Sequence, residues 1–167
     1  PGRSIVRVSD ETLANLAKHP NIVGIKDATA ECYRPTKLRS LIGPDFCQLS
    51  GEDATALPYL AAGGQGCISV VSNIAPALCS QLHTAWAAGD TATALALHQK
   101  LMPLHEDLFI EASPGPVKYA ASLLGLCCPT TRLPLCEISD SSKAAVKDAL
   151  VAAELLQTFT AKPARRR

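Results

Sequence analysis

The sequence predicts an α/β fold in which buried parallel strands alternate with helices, followed by a region of helices alone. Three short runs rich in aliphatic residues and glycine begin near residues 21, 46 and 66, and such runs are typical of strands buried on both faces. Each run is followed by a segment with helical spacing, and strand–helix–strand units of this length pair their strands in parallel. After Gly89 only helical patterns remain.

The first half of the chain contains the alternating elements. Ser9 is a predicted N-cap, followed by acidic residues, and it begins a helix that should end near His19. Pro35 can occupy the first turn of a second helix, which Gly43 ends. The remaining predicted elements are strands at 21–27, 46–51 and 66–71 and helices at 53–62 and 76–88.

The second half is predicted to be helical. Asp90 caps a long Ala/Leu helix towards Phe109, which Pro103 should kink or break. Two further helices are predicted at 116–124 and 139–156. We therefore divide the chain into a partial barrel at 1–89, a C-terminal helical region at 90–158 and a disordered basic tail at 159–167.

Three strands are too few for a closed parallel sheet. A sheet of this size leaves an unpaired edge on either side, whereas a complete (β/α)₈ barrel takes ~250 residues. We therefore expect about three β/α units from the C-terminal portion of a TIM (β/α)₈ barrel, with the remaining units before Pro1. The chain opens at Pro1 and its one methionine is Met102, so we expect a fragment, a processed chain or an incomplete reading frame.

Composition excludes several kinds of partner. Sixteen Lys+Arg against fifteen Asp+Glu leave a formal charge of +1, with no basic stripe of the kind that nucleic acid requires. No run of ~18 apolar residues is present, so no membrane span is expected. The seven cysteines never form C-x-x-C, and a reducing cytoplasm explains them better than disulfides or zinc. His105 begins a zinc-helix pattern but Phe109 replaces its second histidine, so we expect no metal.

Lys26 is the strongest candidate for chemistry on the residues alone. It lies near the carboxyl end of an apolar strand, which is where α/β proteins place their active sites. A free lysine is less than ~0.1% uncharged at pH 7, and a dry apolar pocket raises that fraction and makes the amine nucleophilic. The alternative is a structural lysine that reaches solvent, or one that pairs with Asp27 or Glu52.

Several segments resemble one known family. Residues 23–29, Val-Gly-Ile-Lys-Asp-Ala-Thr, resemble the Schiff-base motif of the dihydrodipicolinate synthase and N-acetylneuraminate lyase superfamily. Later segments resemble, in order, that family's next strands and its C-terminal helices: 49–53, 63–70, 72–76, 101–105 and 114–119. The likeness covers nearly all of residues 1–156. Within the superfamily, the sequences Gly-Ile-Lys-Asp-Ala-Thr and Ser-Gly-Glu-Asp favour the synthase branch over the sialic acid lyases.

The resemblance implies roles for four residues. Lys26 matches the lysine that forms an imine with pyruvate, and Arg3 matches the arginine that receives the carboxylate of aspartate semialdehyde. Gly51 and Ile68 match positions that line the pyruvate pocket. Ala30 stands where many members have glycine, in a loop beyond the lysine. No cofactor is implied, because the covalent imine itself serves as the electron sink.

The implied activity is that of a class I aldolase-type lyase of lysine and diaminopimelate biosynthesis. The family's Tyr-Thr-Tyr proton relay cannot be placed here, since Tyr33, Tyr59 and Tyr119 fall at unrelated positions. We therefore expect the chain alone to be inactive or nearly so, and to form a homo-oligomer or pair with the missing barrel half. Two alternatives stay open: a non-catalytic truncated homologue that acts as an assembly piece, and a 2-keto-3-deoxy sugar acid aldolase or N-acetylneuraminate lyase.

Overall fold

The computed structural model describes residues 4–157, and the chain divides into two compact units, with the boundary in the sequence between Gln99 and Lys100. The first unit contains three strands and their helices, and the second is helical. The predicted domain boundaries stay predictions, and the basic tail lies outside the described residues. The strands are β1 (Gly24–Asp27), β2 (Cys47–Ser50) and β3 (Gly66–Cys67), and the helices are α1 (Asp10–Leu16), α2 (Arg34–Ile42), α3 (Ala56–Ala61), α4 (Pro76–Ala87), α5 (Thr91–Asp107), α6 (Gly115–Leu123) and α7 (Asp140–Ala152).

The three strands form one parallel sheet in the order β1-β2-β3, as the strand–helix alternation predicts. Lys26 lies opposite Leu49, and Leu49 lies opposite Gly66. Paired residues of neighbouring strands point to the same face, and successive residues point to opposite faces. Lys26, Leu49 and Gly66 therefore share one face of the sheet, which we call the front face, and the other is the back face.

Burial differs sharply between these two faces. On the back face Asp27, Gln48 and Ser50 are 3%, 1% and 1% exposed. The Gln48 side-chain amide donates a hydrogen bond of 3.1 Å to the Pro35 carbonyl in α2, which ties sheet and helix together. On the front face Lys26 is exposed. The helices of the first unit thus cover the back face and leave the front face open.

Side-chain caps fix the starts of three helices where the sequence predicts them. The Ser9 hydroxyl accepts from the Thr12 amide at 3.1 Å, and the Asp90 carboxylate accepts from the Thr93 amide at 3.0 Å. Ser139 caps α7 in the same way. Each cap satisfies a backbone N–H that the first helical turn would otherwise leave without a partner.

The third strand is shorter than predicted, because a carboxylate intervenes. It was expected to run to Val71, but β3 ends at Cys67 and a 3₁₀ turn forms at Val71–Asn73. An Asp53 carboxylate oxygen accepts from the Val70 amide at 2.8 Å and from the Val71 amide at 3.3 Å. Two adjacent amides that point to one oxygen cannot both follow the alternating pattern of a strand.

The helix α5 continues through Pro103, so the break that was one of the two predicted outcomes does not occur. Proline removes one backbone donor from the helix, a loss that costs about 3 kcal/mol in an isolated helix. Leu101 and Leu104 of α5, and Leu108 directly after it, are at most 1% exposed. Burial of these side chains offsets the lost hydrogen bond. None of the helices in the described part of the chain has the length and hydropathy needed to cross a bilayer.

Candidate active site

Lys26 is the third of the four residues of β1 and its side chain is exposed on the front face. It has no hydrogen-bond or ion-pair partner among residues 4–157. The pairing with Asp27 or Glu52 that the sequence left open does not occur, and Asp27 points to the back face. The described residues also do not enclose Lys26, so the dry pocket expected around its amine is not formed by this part of the chain.

Gly51 makes room for the Lys26 side chain. A Cβ atom at position 51 would lie 2.9 Å from Lys26 Cε, 3.1 Å from Lys26 Cγ and 3.0 Å from the Ala28 Cβ. Such separations are well inside ordinary carbon–carbon contact of ~3.5–4.0 Å. The lysine stem therefore lies directly across the backbone at the end of β2, in space that only glycine leaves free. The Gly51 amide also donates to the Asp27 carbonyl at 2.7 Å, which continues the sheet by one residue.

Ile68 follows directly after the third strand and extends the same surface. Its amide donates to the Ser50 carbonyl at 2.8 Å, and its side chain is 46% exposed. By strand alternation it lies on the front face, two residues beyond Gly66. The structure thus places Lys26, Gly51 and Ile68 together at the carboxyl end of the front face. Their roles stay predictions, and Arg3 lies outside the described residues.

A charged cluster on the back face is the feature that sequence reasoning missed. The Arg34 side chain is 1% exposed and its guanidinium pairs with Asp27 at 3.1 Å and with Asp10 at 2.8 Å. One signal of it was in the sequence. Arg34 is the first residue of α2, and the partial positive charge of a helix N-terminus disfavours a cation there unless acidic partners compensate.

Burial keeps three other ionisable groups of the first unit neutral. Burial, with a smaller contribution from the charge of Asp53, raises the pKa of the Cys67 thiol to about 12. Burial likewise raises the pKa of Cys79, and burial followed by the charge of Asp27 raises the pKa of the Tyr59 hydroxyl. These groups stay protonated at neutral pH and do not act as nucleophiles or bases. Within residues 4–157 no three metal-ligating side chains converge on one point.

These observations define the class of the protein. A parallel sheet, helices on its back face and a lysine at the carboxyl ends of the strands on its front face is the arrangement found in (β/α)-barrel enzymes. The sequence profile described as the Dihydrodipicolinate synthetase family matches residues 1–153. The chain belongs to that family, as the motifs around Lys26 and Gly51 indicate.

Relatives of known name cover nearly all of this chain. The 4-hydroxy-tetrahydrodipicolinate synthase of Rhodospirillum centenum is 57% identical over 156 residues, which are 93% of this chain and 54% of that protein. The protein of the same name from Bradyrhizobium diazoefficiens is 54% identical over 156 residues, or 93% and 53% of the two chains. The chain thus spans about half the length of the curated relatives it matches.

Solved structures confirm the fold. The dihydrodipicolinate synthase of Thermotoga maritima matches with a TM-score of 0.88 at 38% identity, over 93% of this chain and 54% of that one. The dihydrodipicolinate synthase of Acinetobacter baumannii, solved in complex with pyruvate, matches with a TM-score of 0.88 at 38% identity, over 93% of this chain and 54% of that one. The three β/α units are therefore the C-terminal portion of a TIM (β/α)₈ barrel, followed by a helical region, as predicted.

Proposed function

We propose that this chain provides the imine-forming part of a 4-hydroxy-tetrahydrodipicolinate synthase, a lyase that condenses pyruvate with aspartate semialdehyde. The observation that carries the proposal is the position of Lys26, whose side chain leaves the carboxyl end of a parallel strand and lies across Gly51. The names of the relatives and the pyruvate bound to one structural neighbour support the same reaction.

The chemistry assigned to Lys26 is that of a carbonyl-trapping amine. Its uncharged nitrogen attacks the ketone carbon of pyruvate, and loss of water gives an imine. A methyl proton then leaves to a base and its electron pair forms an enamine. The enamine carbon attacks the aldehyde carbon of the second substrate, and water later releases the product from the lysine. No further cofactor is required, because the imine nitrogen accepts the electron pair.

The second substrate is assigned through Arg3 alone. A planar guanidinium binds a carboxylate through two parallel hydrogen bonds, which suits an aldehyde that carries an acid group. Condensation with a sugar-derived aldehyde in place of aspartate semialdehyde would indicate the sugar acid aldolase alternative. Condensation with N-acetylmannosamine would indicate the sialic acid lyase alternative. A panel of these acceptors, tested with the same enamine, distinguishes the three activities.

The front face needs a cover that residues 4–157 do not provide. β1 and β3 each have one edge without a strand partner among these residues, and the Ile68 side chain is 46% exposed. Unpaired strand edges and apolar residues at a sheet surface favour association. We propose that the remaining β/α units of a barrel, or a second copy of this chain, occupy this face. Light scattering that shows a stable monomer in solution would contradict this.

We also propose the cytoplasm as the location. All seven cysteines are free, with three of them exposed, and exposed thiols persist in a reducing compartment. Fractionation of cells, with the chain detected by antibody, tests this directly. Recovery of the chain with intramolecular disulfides would indicate an oxidising compartment instead.

Reductive trapping tests the proposed function. The chain is incubated with pyruvate and borohydride, and the modified residue is found by peptide mass mapping. We expect one reduced adduct, on Lys26, which the Lys26→Arg variant loses and the Lys147→Arg variant retains. Lys147 is an exposed lysine of α7 and serves as the matched control. A chain that gives no adduct at Lys26, or labels all exposed lysines equally, would refute the role of this amine.

A further inference from the structure

The buried guanidinium of Arg34 joins three separate parts of the first unit. Its Nε donates to an Asp10 carboxylate oxygen at 2.8 Å, and its Nη1 donates to an Asp27 oxygen at 3.1 Å. Its Nη2 donates to the Val8 carbonyl at 2.6 Å. Asp10 begins α1, Val8 belongs to the segment before α1, and Asp27 ends β1. One side chain thus connects the N-terminal segment to the strand that carries Lys26.

Asp27 is held at three points next to Lys26. Its carboxylate accepts from Arg34 and also from the Thr29 amide at 3.0 Å, so it fixes the turn that leaves the strand. Its carbonyl accepts from the Gly51 amide at 2.7 Å. The residue directly after Lys26 therefore cannot shift without breaking contacts to both Gly51 and Arg34. The direction in which the Lys26 stem leaves the backbone follows from that restraint.

Stability alone explains this arrangement poorly. Buried ion pairs contribute little net stability compared with apolar residues of the same volume, because both charges lose their hydration. Arg34 and Asp27 each have side chains 1% exposed, so both bear that cost. What the pair provides is a fixed geometry, since a guanidinium holds several acceptors in one plane.

We propose that Arg34 is a positioning residue for the imine-forming reaction. It ties the end of β1 to the segment around Val8, and this fixes the direction in which the Lys26 amine leaves the strand. This inference rests on the proposed function of Lys26 and adds a residue that never touches the substrate. Arg34 acts through Asp27 on one side and through Val8 on the other.

Two variants test the inference, with a control on the same helix. Arg34→Lys keeps the charge but loses the planar fork, and Arg34→Met removes the charge. Arg39→Lys is the matched control, because Arg39 also lies in α2 and donates to a loop carbonyl, that of Gly63, at 2.6 Å. All chains are compared at equal folded fraction, measured by circular dichroism.

The kinetic readout is the rate of reductive trapping of pyruvate over a range of pyruvate concentrations. We expect both Arg34 variants to lower the maximal trapping rate by about 10- to 100-fold, as a displacement of about 1 Å does, with little change in the half-saturating concentration. Arg39→Lys should trap at the wild-type rate. Folded Arg34 variants that trap pyruvate at the wild-type rate would overturn the inference. Absence of trapping in the wild-type chain would instead count against the proposed function.

Hydrogen exchange gives a second readout that does not depend on catalysis. The Thr29 and Gly51 amides both donate to Asp27, so Arg34→Lys should speed their exchange while amides in α4 stay unchanged. Arg39→Lys should leave both amides protected. Unchanged protection of Thr29 and Gly51 in the Arg34→Lys variant would show that Arg34 does not restrain the end of β1, whatever the chain does with pyruvate.

Discussion

Replacement of Gly51 by alanine should separate imine formation from folding. The added Cβ would lie 2.9 Å from Lys26 Cε, so this carbon must retreat by about 0.6 to 1.1 Å to reach ordinary contact. The lysine stem is exposed and can move by a rotamer adjustment that costs of order 0.5–1.5 kcal/mol. The Ala28 Cβ, at 3.0 Å, is attached to the backbone and yields less easily. We expect a loss of about 1–3 kcal/mol in unfolding free energy.

The effect on the amine should be larger than the effect on stability. A displacement near 1 Å of a reacting group lowers rates by up to about 100-fold, because the nitrogen leaves the line of attack on the ketone. The assay is borohydride trapping of pyruvate at equal folded fraction. Gly66→Ala is the control, since its Cβ would meet only the flexible end of Leu49, at 3.3 Å, on the same face of the sheet. If Gly51→Ala traps pyruvate as fast as Gly66→Ala does, Gly51 does not position the amine.

Two further predictions concern stability and pH. Ala30 has a φ of 61°, a backbone conformation that disfavours residues with a side chain, so Ala30→Gly should raise the unfolding free energy by up to about 1 kcal/mol. Ala96→Gly, in the exposed part of α5, should instead lower the unfolding free energy by about 1 kcal/mol. Urea titration of both variants checks the two signs. A hydrogen bond with the Thr130 hydroxyl lowers the pKa of the Cys128 thiol, while burial raises that of Cys67 to about 12. Cys128 therefore has more thiolate at about pH 8, and iodoacetamide should label it well before Cys67; equal labelling rates would contradict both shifts.

Local signals in the sequence were sufficient for most elements. Ser9 and Asp90 are caps whose partners lie three residues away, so the pattern of neighbouring residues predicts them. Gly43 ends α2 for the same local reason, with a positive φ of 116° that glycine adopts readily. The position of Lys26 near the carboxyl end of a strand also followed from local composition, because the apolar run that predicts the strand ends next to this lysine.

The features that escaped prediction depend on residues far apart in the chain. The early end of β3 is set by Asp53, 17 residues before Val70, and no local pattern around Val70 shows it. Arg34 pairs with Asp10, 24 residues away. Such contacts follow from the packing of helices on the back face, which single-sequence patterns do not specify. The resemblance indicated the candidate site residues, but it did not indicate which buried groups hold the strand ends beside them in place.

The two faces of the sheet divide the work of the site between them. The buried carboxylates of Asp27 and Asp53 supply rigidity, because each accepts from a backbone amide just beyond a candidate site residue, Lys26 in one case and Ile68 in the other. The front face presents the amine to which we assign imine formation, and Gly51 leaves the space for its stem. A lysine becomes a nucleophile at neutral pH when its surroundings favour the uncharged form, and residues 4–157 leave Lys26 exposed. This part of the chain therefore fixes the direction of the Lys26 side chain, whereas water must be excluded from the amine by whatever covers the front face. Covering that face should accelerate imine formation without any rearrangement of the strands, because the back-face contacts have already set the direction of the amine.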